Sequence, residues 1–522
     1  MDASEDIVML NGHFITNETY TTEPTAVALS KGRIVAVGCD EDIKPLISST
    51  TRIIDCNKFL VVPGFIDAHM HPFSIARNSM SVNCDHNNVS SVRDIITLLR
   101  IKAKQVSSND WVLGYGYDES ELETTQPLDR TSLDLASSDH PIKLTHRSGH
   151  ITILNSKGLE SAHVDSQTID PLSGIICRYE DSTIPTGVFL DCEEFLKDRL
   201  GHTLDHHQFV QAMGNTSESL SKYGITSIQD ASYTNDKAHW DTFVELINSD
   251  VWKIKTTMMV GIDSIEEFKI EGLTFCSSRR LLRLGHSKII LSSTTGRLTP
   301  SQEELHYQIK TSHNLGFPVA IHAVEAEAVQ VASEVLEALH KERPIPIDHY
   351  DRIEHCSEVP EDLMDSVVKS HAMVVTQPGF LYWRRNQYRE TVALDLQPHI
   401  YPIHQFAERN IPYAFSSDAP VIDANPWCGI DAILNGTPPF YRGTLAPDAP
   451  VLNRLKQAIQ PYTLGGAYSE NTDIEKGSIK PGKKADIAVF PWSPGNNLPP
   501  PESHHAILTM SDGVVIYDDL TS

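Results

Sequence analysis

Hydrophobic and polar positions change rhythm three times along the chain. Between Ile7 and Leu60 the apolar runs are short: Ile7–Leu10, Ala26–Leu29 and Arg33–Gly38, with Ile53–Asp55 and Phe59-Leu60 continuing them. The turn pairs Asn11-Gly12 and Lys31-Gly32 separate them, a pattern that predicts a small β-rich domain. From about 74 to 220 the pattern is mixed. Ser91–Lys104 carries apolar Val92, Ile95, Ile96, Leu99 and Ile101 at helical spacing, whereas Trp111–Asp118 and Pro141–His150 read as strands. Asn155-Ser156 opens a further helix, Arg178–Val188 reads as a Gly/Pro-punctuated loop, and Asp191–Arg199 is helical.

After residue 207 the rhythm becomes regular. Helical stretches alternate with apolar strands ending at Asp230, Val260, Leu291, His322, His355, Gln377 and Asp418. With the strand running into His69-Met70-His71 this makes eight, and eight strands in βα alternation predict a closed (β/α)8 TIM barrel, an α/β fold. From about Ile474 the chain returns to short strands, Ala485–Phe490, Ala506–Thr509 and Val514–Tyr517. The expected organisation is a β-sandwich domain made from both termini, 1–62 plus 472–522. The barrel spans 63–471, with a long α+β insertion at about 74–220 after its first strand.

Barrel active sites lie at the C-terminal ends of the strands, so polar residues at those ends are the candidates for chemistry. The first strand gives His69 and His71, which share a face because side chains alternate. Asp67 is close enough to join or orient them. The fourth gives Lys288, the fifth His322, the sixth His355 and the eighth Asp418. Imidazoles and a carboxylate converging on one mouth suit a divalent metal. A lysine in an apolar strand is costly to bury as ammonium. Carbamylation by carbon dioxide would make Lys288 an anion able to bridge two cations; a neutral or ion-paired lysine is the alternative. Asp418 can bind metal and also take a proton from water. Glu354 is expected to point to the opposite side of its strand from His355 and to pack or pair with Arg352 or a neighbour.

Composition narrows the partners. The 522 residues carry 43 Lys and Arg against 69 Asp and Glu, a net charge of −26, which argues against a nucleic-acid surface. The eight cysteines form no CxxC pair, so neither a thiolate zinc site nor a disulfide framework is indicated. The acidic start MDASEDIVML and the lack of a membrane-length apolar run make the cytoplasm the expected compartment. The expected partner is a small molecule, with a second copy of the chain as a candidate. Trp111, Tyr115, Tyr117, Phe380, Tyr382 and Trp383 either wall a pocket for an aromatic or heterocyclic amide or pack in the core.

The motifs Gly32-Arg33-Ile34, Pro63–His71, Leu128-Asp129, Arg147–His150 with Asn155-Ser156, and Pro185–Val188 resemble the metal-dependent amidohydrolase superfamily. So do Gly224-Ile225-Thr226, Arg352–His355, Ser417–Pro420 and Gly477–Asp486. Within it the chain is similar to the branch that includes the N-substituted formamide deformylases, over nearly its whole length. The resemblance implies a zinc-type centre of one or two ions held by His69, His71, carbamylated Lys288, His322, His355 and Asp418. It also implies substrate contacts from the insertion, notably His150. Two departures stand out. Ser292-Ser293 occupy the positions of the branch's usual Asp-Gly, and Ala323-Val324-Glu325-Ala326 replace its usual Ala-Ile-Gly-Asp.

The expected function is metal-dependent hydrolysis of a non-peptide carbon–nitrogen bond of amide type, with Asp418 as proton shuttle and His150 as a second catalytic candidate. The competing expectations are a mononuclear deaminase, a metal-dependent lyase or isomerase of the same fold, and a non-catalytic binding protein.

Overall fold

The computed structural model describes residues 6–85, 88–107, 110–123, 128–171, 174–200, 206–293, 296–342, 350–436, 439–440, 449–495 and 498–520. The chain forms two compact units, one made of 1–71 and 217–522 and the other of 72–216.

The first unit holds the barrel. Its strands are Phe65–Met70, Ile225–Asp230, Lys255–Gly261, Leu282–Ile290, Val319–Ala323, Arg352–His355, Met373–Thr376 and Tyr413–Phe415. They lie side by side in sequence order, every neighbouring pair parallel. The eighth strand stops at Phe415, so the seam with the first is closed just beyond it. There the Asp418 N–H donates to the His69 carbonyl at 2.8 Å and the His71 N–H to the Ala419 carbonyl at 2.8 Å. Ser417 N–H adds bonds to both oxygens of Asp67, at 3.1 and 3.2 Å. The expected TIM-barrel fold is thus present.

Helices cover the outside. Along Ala326–Glu342, Ala328, Val329, Ala332, Val335, Leu336 and Leu339 are buried at helical spacing, and they pack on Ile321 and Ile353 of the strands beneath. Gln302–Leu315 begins where the Ser301 hydroxyl accepts from the Glu304 N–H and ends at left-handed Gly316. Strand Leu282–Ile290 begins six residues before Lys288, and Leu282 and Leu284 at its start are buried, as is Ile289. Helices Pro426–Leu434 and Val451–Ile459 follow the eighth strand.

Two smaller sheets lie beside the barrel in sequence, and one of them joins strands from both ends of the chain. Leu60–Pro63 pairs antiparallel with Ile487–Phe490, which leads to Leu508–Ser511 and Val514–Asp518. The other sheet runs Arg33–Gly38, Ala26–Ser30, Ile7–Leu10, Arg52–Asp55. Both contribute to one core in which Met9, Val27 and Ile54 meet Val61, Ile487 and Leu508. Gly64 alone separates Leu60–Pro63 from the first barrel strand. A Cβ there would lie 2.3 Å from Thr226 Oγ1, so only glycine lets the two strands pass this closely.

The second unit is a six-stranded sheet in the order Ile175–Arg178, Pro185–Leu190, Ile151–Leu154, Ile142–His146, Val112–Tyr117, Val82–Asn83. Helix Val92–Ala103 packs on it, capped by Ser91. The stretch read as a loop, Arg178–Val188, instead holds the facing ends of a hairpin. Pro185–Leu190 alternates buried and half-buried positions, and Pro185 costs little because it is the first residue of the strand.

Candidate metal centre

Four barrel strands or their C-terminal ends supply the imidazoles and the carboxylate. His69 Nε2 lies 3.5 Å and His71 Nε2 3.1 Å from Asp418 Oδ1, and one ligand atom from each of the three residues falls within 4.8 Å of the others. The rings of His69 and His71 sit 5.4 Å apart, those of His69 and His355 4.8 Å, and those of His355 and His322 4.4 Å. The four histidines and the aspartate expected to meet are therefore together. Asp418 and His355 get there by leaving extended geometry: both have left-handed backbone, φ 60° and 68°, and Cys356 follows at 48°. Such a conformation breaks strand alternation, so His355 reaches the same mouth as its neighbour Glu354.

Hydrogen bonds fix how the rings are presented. Ser232 Oγ donates to Asp230 Oδ1 at 2.7 Å, so toward His71 Nδ1, 3.0 Å away, it offers a lone pair. Gln377 Nε2 donates to Ser416 Oγ at 3.0 Å, which turns its Oε1 toward His355 Nδ1, also at 3.0 Å. Both rings thus carry hydrogen on Nδ1 and turn Nε2 inward, and His355 Nε2 is buried with no hydrogen-bond partner among the described residues. His69 Nδ1 meets Glu354 Oε2 at 2.5 Å.

Burial, then the charge of Lys288, pushes the pKa of His69 well below the usual imidazole range; burial lowers His355 as well. Burial alone would raise the Asp418 carboxyl, but its close approach to His71, then the rings of His69 and His355, bring it down to about 2. Neutral imidazole nitrogens and an ionised carboxylate thus aim lone pairs at one point, an arrangement that suits a cation.

Lys288 is 1% exposed, and its Nζ has no hydrogen-bond partner among the described residues. Burial brings its pKa down to about 8, with Glu354 opposing. Asp67 does not join the cluster. It accepts from the His69 and Ser417 N–H groups, and burial raises its pKa to about 7.

Glu354 forms the expected pair with Arg352, whose Nε and Nη2 reach its two oxygens at 2.7 and 2.9 Å. Its simultaneous contact with His69 was not foreseen, because register across the barrel is invisible along one strand. Ser232 and Gln377 were also missed; only the two-residue Asp230–Ser232 spacing gives a local hint.

His150 belongs to the second unit, half exposed, with Nδ1 2.6 Å from Asp191 Oδ1. In the same unit Tyr117 is core, 3% exposed, rather than a pocket wall. Phe380 stacks on Tyr401 at 5.7 Å, and Trp383 is exposed. Ser292 Oγ donates to Glu325 Oε1 at 3.3 Å, so the two positions that depart from the branch pattern pair with each other. No helix among the described residues is long and apolar enough to cross a membrane.

A family profile described as the amidohydrolase family matches residues 52–517. The Bacillus subtilis (strain 168) protein YtcJ is 24% identical, with 94% of this chain and 96% of that protein covered. An N-substituted formamide deformylase of Arthrobacter pascens is 22% identical over 95% of each. Among solved structures, an uncharacterized metal-dependent hydrolase from Pyrococcus horikoshii OT3 has the same fold. Its TM-score is 0.73 at 21% identity, with 96% of this chain and 100% of that one covered.

Proposed function

The chain belongs to the amidohydrolase family, and on that premise we propose that it hydrolyses a non-peptide carbon–nitrogen bond of amide type in a small molecule. The reading rests on one observation: three lone-pair-bearing atoms, of His69, His71 and Asp418, converge within 4.8 Å of one another. His69, His71, His322, His355 and Asp418 would hold a divalent cation of the zinc type. The orphaned amine of Lys288, as a carbamate, would add the anion needed to hold a second. When bound, such a cation lowers the pKa of water and polarises a carbonyl.

The protein's own groups supply the rest. Asp418, kept ionised, accepts a proton from the attacking water and returns it to the leaving nitrogen. Ser232 and Gln377 hold the rings of His71 and His355 against rotation. Burial leaves a fraction of Lys288 as the free amine near neutrality. That amine adds to the carbon of carbon dioxide, forming the carbamate N–C bond with loss of one proton. The likeness to a formamide deformylase supports an N-substituted amide as substrate class. The Ser292–Glu325 pair, standing where the branch usually has other residues, supports a substrate other than a simple formamide.

The test is a panel of N-substituted amides, lactams and ureas against protein of measured metal content. Turnover that is lost on chelation and restored by zinc supports the reading. No turnover at full metal occupancy overturns it in favour of a binding protein. One ion per chain with an unmodified Lys288 favours the deaminase type.

A further inference from the structure

The interior of a (β/α)8 barrel is ordinarily filled by branched apolar side chains. Here the sixth strand sends Arg352 and Glu354 into it, both fully buried. The guanidinium has a partner in every direction. It grips both oxygens of Glu354, donates to the Ala68 carbonyl at 2.8 Å, and bonds Gln229 Oε1. Gln229 is itself fixed by Ser469 Oγ at 2.5 Å and the Gly466 carbonyl at 3.2 Å. Glu354 Oε2 therefore has a set position, and it uses that position to meet His69 Nδ1 at 2.5 Å.

A buried ion pair of this kind adds little to stability compared with apolar residues of the same volume. What it adds is direction. A carboxylate oxygen facing Nδ1 at hydrogen-bond distance requires the hydrogen to be on Nδ1, because a lone pair there would be repelled. Nε2 then turns an uncommitted lone pair toward Asp418, 3.5 Å away. His71 and His355 are held by a neutral hydroxyl and a neutral amide. Of these three rings, His69 alone is backed by a full negative charge, which raises the basicity of the nitrogen it presents.

We propose that Glu354, clamped by Arg352, is a positioning residue that locks the ring and the Nδ1–H tautomer of His69 and so sets the metal affinity of the centre. This rests on the metal-centre reading above. The backbone agrees with it: the bond from Arg352 to the Ala68 carbonyl ties the clamp to the strand that carries His69.

The experiment compares wild-type protein, Glu354→Gln and the double variant R352M/E354L, which removes the pair without leaving an unpaired charge. Cobalt(II) affinity is read by competition with a chelating dye, the ligand field by the visible spectrum of the cobalt protein, and folding by the thermal midpoint. Cobalt affinity should fall about 10-fold in Glu354→Gln and up to about 100-fold in the double variant. Shifted visible bands and a near-wild-type midpoint should accompany the loss in the double variant. A folded double variant with unchanged affinity and spectrum overturns the inference, whatever its midpoint. If the double variant does not fold, Glu354→Gln decides: unchanged affinity and bands overturn the proposal, and loss with altered bands supports it. Wild-type protein that binds no cobalt overturns the metal-centre reading itself, and this inference with it.

Discussion

The backbone N–H of Asp418 donates to the carbonyl of His69 at 2.8 Å, and the carboxylate of the same aspartate lies 3.5 Å from the imidazole of the same histidine. One pair of residues thus both closes the barrel seam and starts the candidate metal centre. Main-chain hydrogen bonding thus fixes where the Asp418 backbone lies against that of His69.

Changing Asp418 to Asn should separate these two roles. Asparagine tolerates the left-handed backbone at this position, φ 60°, so the seam bond should survive. The proton shuttle should not, and kcat is expected to fall about 10²- to 10⁴-fold. Circular dichroism should match wild type. Retained activity in Asp418→Asn would remove the shuttle from the mechanism.

Lys288→Met fills the same buried space without an amine. The expected result is fewer metal ions per chain, with the fold intact. In wild-type protein stripped of metal, reconstitution in bicarbonate-free buffer should lag behind reconstitution with bicarbonate, and intact mass should report the carbamate. Equal recovery in both buffers would rule out the modified lysine.

Acid stability should depend on Asp351, which is fully buried. It accepts from His313 and His340, each at 3.0 Å, and from the Val319 N–H at 2.8 Å. Burial opposes its ionisation, but these donors hold its pKa well below the ordinary 3.8. A depressed folded-state pKa adds stability that is present above the ordinary value and lost as pH falls below it. Asp351→Asn should therefore be less stable than wild type at neutral pH, on the order of 3 kcal/mol. The gap should narrow below about pH 4. Urea midpoints against pH for both proteins measure this; a gap that stays constant to pH 3 would show that the carboxylate is not the cause.

Gly64→Ala should strain the entry to the first barrel strand, since its Cβ would press on Thr226 at 2.3 Å. A loss of about 1–3 kcal/mol is expected. Thr226→Ala in the same protein should restore part of it, because it removes Oγ1 and Cγ2, the two closest atoms. Denaturant midpoints of the two single variants and the double decide the matter, and no rescue would place the strain elsewhere.

The strand-end histidines were legible because an apolar run that stops at a histidine is a local pattern, and the barrel repeats it. The hairpin Ile175–Leu190 was not, because the buried positions of its second strand include Pro185 and Gly187, residue types that mark turns. Tyr117 read equally well as pocket wall or core, since burial depends on what packs over it. Asp67 was placed near the histidines correctly, but as a backbone brace it answers to Ser417, some 350 positions away.

The sequence by itself determined the barrel and which side chains stand near the ends of strands one, four, five, six and eight. Periodicity and chain order are local properties, and they suffice for that. Only the tertiary structure decided which nitrogen each ring presents and which carboxylates brace or orient the cluster. Those depend on distances between strands far apart in sequence, and on two left-handed residues, His355 and Asp418, that alternation alone does not anticipate. The pairing of Glu354 with His69 joins positions 285 residues apart across a closed sheet. Barrel closure creates that contact.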